Sequence, residues 1–321
     1  MDNVCHTLVG AAMAEAGLKR RTRWGSVALM VAANLPDLDV LVFATDTPPV
    51  SFRRGWTHGV LAQTLLPLVM AGVFVLLARL RRHGPADGRE PPLRPAWLVV
   101  LGYLGVYSHV FLDYLNNYGV RLLAPVDWRW FYGDAVFIVD PWLWLVLGVG
   151  VWLTRRHGRT RPAAVALGVA AAYAAVMLAL ATDARAFVVK QWTADTGQPP
   201  RALMVGPVPV VPWTRDVIID AGEHYRTGRY TAWPRRLELT AERVPKNAHA
   251  AGVEQARRRG AVSGFLVWAR FPFWEASRSG THPLITVRDM RFRGRGPTFA
   301  ATAEVSDTSS QEPSGTLGVS P

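Results

Sequence analysis

The sequence predicts an all-α polytopic membrane bundle of five to six membrane helices, followed by a small, mostly-β extracytoplasmic domain. Three observations carry this prediction. Half of the 321 residues are hydrophobic, and they concentrate before residue 183 in spans close to the roughly 20 apolar residues that cross a bilayer. The loops between those spans alternate between arginine-rich and arginine-poor. After about residue 203 the pattern turns to short β-type runs punctuated by Gly and Pro.

The first apolar segment, 4–18, is short and reads as a sixth helix, tilted or partly inserted. Ala12-Met13-Ala14 mimics a cleavage site, but no basic region precedes the apolar run; the cluster Lys19, Arg20, Arg21 and Arg23 comes after it. Five spans follow, 24–43, 60–77, 96–115, 139–153 and 163–181, the fourth being short. Lys and Arg number four in 19–23, five in 79–95 and four in 155–161, against two each in 45–59 and 116–138. The positive-inside rule therefore puts the first three loops in the cytoplasm, and the N-terminus, the other two loops and everything after residue 182 outside.

Residues 183–195 read as a helical extension or connector. Pro207, Pro209 and Pro212 make a stiff lead-in. Strands are expected at 217–220, 230–233, 264–271, 284–292 and 298–305, the first two flanking a turn region with Gly222 and Gly228. Residues 306–321, rich in Ser, Gly, Thr and Pro, are expected to be disordered. The division is thus a helical metal-site domain at 1–182, a connector helix and β domain at 183–305, and a tail at 306–321.

The formal charge of +12 is not read as a nucleic-acid signal. The arginines cluster beside apolar spans, where they set orientation and meet anionic lipid. Membrane lipids are the expected partners and nucleic acid is not. Cys5, the single cysteine, excludes an intrachain disulfide and a cysteine-rich zinc site, and reads as a small buried apolar residue.

Six residues able to ligate a metal are His6, Asp37, Asp39, His58, His109 and Asp113. They come from four segments that this threading presents to one side of the bilayer. Ionisable groups at membrane depth are costly, so such a group is a functional site by default. His109 and Asp113, at i,i+4, share one helix face, and imidazole with carboxylate suits zinc, manganese or iron. Alone, the pair reads equally well as a polar contact between helices. Asn34-Leu35-Pro36-Asp37-Leu38-Asp39 interrupts the outer half of the first long span. Pro36 breaks the helix, and broken helices at this depth line enclosed or wet cavities. Two carboxylates there can converge on one cation or bridge two; the plainer alternative is a helix end whose acids face water.

Arg53 and Arg54 break the low-arginine trend of the outer loops. They are candidate clamps for an anionic substrate group, with lipid headgroups as the other reading. His58 begins the span at 60–77. His6 precedes a small-residue face, Gly10 and Ala14, suited to close helix packing; by itself it reads as a structural hydrogen-bonder. Asp140-Pro141 opens the fourth span, where an N-cap with Pro in the first turn is favoured over a further ligand.

His6, the Asn-Leu-Pro-Asp-Leu-Asp run at 34–39, Arg54-Gly55-Trp56-Thr57-His58, and Ser108-His109 with Asp113, Gly119 and Pro125 together resemble the YdjM-like family of membrane-bound metal-dependent hydrolases, over residues 1–182. The order His, Asp, His, then His-x-x-x-Asp also resembles zinc-dependent phospholipase C and related nucleases. Their downstream His and Glu pair has no clear counterpart here, with Asp140 as a partial substitute. The resemblance implies that His6, Asp37 or Asp39, His58, His109 and Asp113 are metal ligands.

The expected function is a membrane-embedded metal-dependent hydrolase at the outer face of a bacterial inner (plasma) membrane. It would act on an ester or phosphoester, lipid-linked substrates included. The cofactor is a divalent metal, zinc first, with manganese or iron as alternatives. Metal-activated water would be the nucleophile, Asp37 or Asp39 would take the proton, and Arg53 or Arg54 would hold the anionic group. Two readings from other classes stay open: an ion or proton transporter using the His/Asp cluster, and a non-catalytic structural membrane protein. Against the transporter, the ligands gather at one membrane face and no inverted repeat is visible.

Overall fold

The computed structural model describes residues 1–45, 47–80, 91–279, 282–294 and 299–306. Helix α1 (Asn3–Glu15) opens on Asp2, whose carboxylate accepts from the amides of Val4 and Cys5, satisfying donors that a helix start leaves orphaned. Helix α2 (Gly25–Ala32) gives way to a 3-10 stretch, Leu35–Ala44, at the proline expected to break it. The two segments meet at 53°. A one-turn helix α3 (Pro49–Phe52) leads to α4 (Val60–Leu80) and α5 (Pro95–Leu115). Helix α6 (Pro141–His157) starts at Asp140 and ends on Arg155, Arg156 and His157, cations that suit the negative end of the helix dipole.

Helix α7 (Arg161–Thr196) runs 36 residues, about 54 Å at the usual helical rise. The span expected at 163–181 and the connector expected at 183–195 are one uninterrupted helix, because no Gly or Pro falls between Gly168 and Gly197. By length and apolarity α4, α5 and α7 qualify as membrane spans, and the bent α2 pair makes a fourth if it counts as one span.

Contacts between helices show which ends lie together. Trp144 Nε1 donates to the Asp2 carboxylate (3.1 Å) where α1 and α6 begin, and Arg155 Nε donates to Glu15 (2.9 Å) where they finish. The Arg94 amide donates to Thr22 Oγ1 (2.9 Å). The basic stretches around 19–23, 94 and 155–157 therefore share one end of the bundle. Residues 1–6, 37–45, 47–58 and 113–138 occupy the other. Small residues let the helices touch. A Cβ on Gly10 would lie 2.9 Å from the Leu29 carbonyl oxygen, and one on Gly105 would lie 2.4 Å from the Ala32 Cβ.

The C-terminal part is mostly β. Strands β1 (Ala202–Pro207), β2 (Thr214–Asp220), β3 (His224–Ala232) and β4 (Arg235–Pro245) form one antiparallel sheet in sequence order. Strands β5 (Pro272–Ser279), β6 (His282–Asp289) and β7 (Ala300–Glu304) form a second. Helices α8 (Val253–Arg257) and α9 (Gly260–Trp268) connect the sheets. Four expectations need correction. The strand expected over 264–271 is largely α9, which buries Val262, Phe265 and Trp268 at helical spacing against Val287 and Phe292. Pro207 ends β1, and Pro209 and Pro212 lie in the β1–β2 connection, so the prolines sit inside the sheet and do not lead into it. Gly228 lies within β3 opposite Leu239, beside a register irregularity, which leaves Gly222 as the turn glycine. Met290–Phe292 is a 3-10 turn that follows β6. The tail expected to be disordered lies, from residue 307 onward, outside the described residues.

The β part is bolted to the helices. Ala184 and Val188 of α7 share a core with Leu203, Val217 and Tyr230. Buried Arg215 donates to the carbonyls of Asp134 (2.9 Å), Ala135 (3.3 Å) and Met177 (3.0 Å).

Candidate metal centre

His109 sits near the end of α5, and its Nδ1 lies 2.7 Å from the Ala33 carbonyl oxygen. A carbonyl only accepts, so Nδ1 carries the proton and Nε2 presents a lone pair. Gly105, one turn earlier, allows this approach of α5 to α2. His58 lies in the turn before α4. Its Nδ1 is 2.9 Å from Thr57 Oγ1, and that hydroxyl is 3.1 Å from Asp39 Oδ2. The carboxylate takes the hydroxyl proton, so Thr57 accepts from His58 Nδ1–H. His58 Nε2 is then a lone pair as well, the tautomers being assigned from their partners.

The two Nε2 atoms face each other at 3.1 Å. Asp113 Oδ2 lies 3.2 Å from that of His58 and 3.6 Å from that of His109, without hydrogen-bond geometry. Asp37 Oδ1 is 3.9 Å from His109 Nε2. One ligand atom from each of Asp37, His58, His109 and Asp113 falls within 4.8 Å of the others, and all four residues are buried. Lone pairs converging with no proton between them repel. An added proton would charge one imidazole and relieve a single pair, whereas a dication engages all four and is balanced by the two carboxylates. The donor set of two imidazoles and two carboxylates suits zinc, manganese or iron, so these residues fit a divalent cation.

The remaining expected residues take distinct places. His6 stacks on His109 with ring centroids 3.7 Å apart, and its Nε2 lies 3.4 Å from Asp113 Oδ1. Neither of its ring nitrogens is hydrogen-bonded to a described residue, although His6 is fully buried. Buried polar atoms are normally paired, so His6 is a spare donor at the edge of the cluster. Asp113 Oδ1 also receives Arg54 Nη2 at 3.1 Å and the Met1 amino group. Asp39 lies behind His58. It accepts from the Arg54 amide (2.7 Å), Thr57 and Arg53 Nε (3.2 Å), the orienting position usual for a carboxylate behind a ligand histidine. Arg54 is buried and committed, with Nη1 donating to Asn116 Oδ1 (3.0 Å) and the Gly119 carbonyl (3.3 Å). Arg53 contacts Asp37 at 3.5 Å and keeps about a third of its side chain exposed. Asp140 is an N-cap: it accepts from the amides of Trp142 and Leu143 at 3.0 Å and from the Tyr173 hydroxyl at 2.9 Å, which removes it as a ligand.

Sequence reasoning missed Thr57, the Ala33 carbonyl and the Asn116 contact to Arg54. Thr57 and Asn116 adjoin residues already singled out. A backbone carbonyl leaves no side-chain signal at all.

The sequence model of the YdjM inner membrane protein family matches residues 1–184, a stretch holding every residue of the cluster. The uncharacterized protein YfhP of Bacillus subtilis (strain 168) is 24% identical over 129 residues, 39% of this chain and 36% of that relative. The match thus spans little more than a third of the relative's own length. No solved structure matches. With more than half of its length so matched, and with helices able to cross a bilayer, this chain is a membrane protein that belongs to the YdjM inner membrane protein family.

Proposed function

We propose that the protein is a metal-dependent hydrolase acting on an ester or phosphoester at the outer face of the inner membrane. The observation that carries this reading is the pair of Nε2 atoms of His58 and His109, 3.1 Å apart and flanked by Asp113 and Asp37. The proposed ligands are Asp37, His58, His109 and Asp113, with His6 as a further donor beside Asp113. Zinc is the favoured ion, and manganese or iron suit the same donors. When bound, such a cation supplies Lewis-acid polarisation of the scissile group and acidifies water.

The chain's own residues do the rest. Thr57 and Asp39 hold the His58 tautomer, and the Ala33 carbonyl holds that of His109. Asp37 is the proton acceptor, since among the described residues its carboxylate receives one long hydrogen bond, 3.5 Å from Arg53. Arg53, partly exposed at the rim, binds the anionic group, while Arg54 balances the charge of Asp113. We read the bundle as five spans, six with α1, with the domain division at 182 and the 183–305 part outside. The placement of the basic stretches at the end opposite the cluster supports this orientation.

The test uses the purified full chain. Bound metal is quantified, and hydrolysis of phosphomonoesters, phosphodiesters and carboxyl esters is followed before and after chelation. Chelation should stop turnover and zinc or manganese should restore it. Asp113→Ala and His109→Ala should each lose metal and lower turnover by at least about 100-fold, beyond the cost of an outer-sphere change. Metal that binds tightly while no ester class is hydrolysed would leave a structural ion and sink the hydrolase reading.

A further inference from the structure

Between the helical part and the β domain lies a cavity of about 700 Å³, within the size of small-molecule sites. Its two ends differ in chemistry. One end carries Arg53, which touches Asp37 and Asp39 of the cluster and still keeps solvent exposure. The other is apolar, walled by Val50 from the loop side and by Phe265, Trp268 and Phe299 from the outer domain. Tyr118 joins the two ends. Its ring lies 4.8 Å from that of Trp268 and 6.2 Å from that of Phe299, and the Arg54 guanidinium lies 5.2 Å above it. Phe265, Trp268 and Phe299 lie beyond the 1–184 family match, and Val50 lies within it.

Phe43 also lines the cavity, and it belongs to the lower arm of the bent α2 pair. It is 60% exposed and Leu41, on the same arm, is 68% exposed. Large bare apolar groups on a segment able to enter the bilayer face acyl chains, so the cavity's rim is continuous with a lipid-facing surface. We propose that the cavity seats the apolar chain of a membrane lipid whose phosphate lies against Arg53, beside the candidate metal ligands. This names the substrate class of the proposed hydrolase and rests on that reading for its chemistry. A guanidinium offers a phosphate paired, charge-assisted hydrogen bonds, and the aromatic wall offers the chain a dry seat.

Ala261, exposed at the cavity edge, provides a probe. Cys5 is buried, so in full-length Ala261→Cys a maleimide should label one position. The labelling rate is measured in nonionic detergent with dodecyl phosphate, dodecanol or inorganic phosphate. Dodecyl phosphate should slow labelling about tenfold more than either half-molecule, the ratio expected from one charge-assisted contact. Arg53→Gln should remove that advantage and Arg53→Lys should keep most of it. If Arg53→Gln fails to fold, Arg53→Met takes its place in the comparison. Phosphatidic acid in bilayer discs should protect in the same way. Protection no better with dodecyl phosphate than with dodecanol, equal protection in Arg53→Gln, or protection confined to micelles would overturn the proposal. Bound metal and hydrolysis of a water-soluble phosphoester are measured on the same preparations. Protection without metal-dependent hydrolysis keeps the lipid seat and retires the hydrolase; hydrolysis without protection does the reverse.

Discussion

Thr57 stands between His58 Nδ1 and Asp39 and so decides which nitrogen of His58 faces the cluster. Thr57→Val keeps the shape and deletes the acceptor, freeing the proton to move to Nε2. Metal affinity should fall about 10–100-fold, the usual penalty for losing an orienting group, read by competition with a chelating dye. An unchanged affinity would mean that the tautomer is held by Asp39 alone. Gly105→Ala tests the backbone side of the same design. The added Cβ would meet Ala32 at 2.4 Å, push α5 from α2 and stretch the His109 contact to Ala33. Overpacking of this kind costs about 1–3 kcal/mol, and the protein should retain less metal after dialysis. Retention equal to wild type would show that His109 does not depend on that approach. At this scale the ionisable residues of the cluster were legible, because charges inside apolar runs are conspicuous. Their division of labour was not. Asp37 and Asp39 look alike in sequence, and only the turn at Pro36 aims one at His109 and the other at the back of His58.

The helices were legible as elements for a simple reason: long apolar runs have few other solutions. The orientation we propose for them gives a direct expectation. Reporter fusions after residues 50, 125 and 195 should register as extracytoplasmic, and fusions after 86 and 158 as cytoplasmic. A cytoplasmic reading at 195 would remove the outer-face assignment of the cluster. The β region was harder. Gly264 to Trp268 is a short apolar run, which periodicity alone cannot assign to strand or helix. Tertiary burial of Val262, Phe265 and Trp268 on one side selects the helix. Strand β4 was missed because it is the edge of its sheet and largely exposed along its length. Its sequence RRLELTAERVP is accordingly charged, as edge strands tend to be, and its apolar alternation is confined to Leu237, Leu239 and Ala241.

At the scale of the whole molecule, the β domain is held by buried charge. Asp289 accepts from the amides of Arg270, Phe271 and Arg291 and from the Arg291 guanidinium, which reaches on to the carbonyls of Asn117 and Trp268. Burial pushes the Asp289 carboxyl up, but the charge and hydrogen bonds of Arg291 outweigh it and hold the group below the usual value. A depressed carboxylate contributes stability that is complete above its unfolded pKa, about 3.9, and fades as pH falls through the lower folded value. Docking of the β domain should therefore weaken in strong acid and be insensitive to pH near neutrality. Asp289→Asn leaves Arg291 buried without its counter-charge, a loss of about 3–5 kcal/mol. Its thermal transition should fall at neutral pH and change less on acidification. A variant as stable as wild type would show that the pair does not hold the domains together.

The donors of the cluster are strung from residue 6 to residue 113, and a growing chain reaches them in sequence. When α1, the bent pair and α4 have formed, His6, Asp37 and His58 are present but the two donors of α5 are missing. Capture of the proposed ion would then wait for α5 and certify the assembly of the first four long segments. Chains made where metal is scarce would finish insertion with opposed lone pairs and a bare carboxylate at their centre. Such molecules should open more often, and be cleared faster by membrane proteases, so that abundance in the cell tracks metal supply.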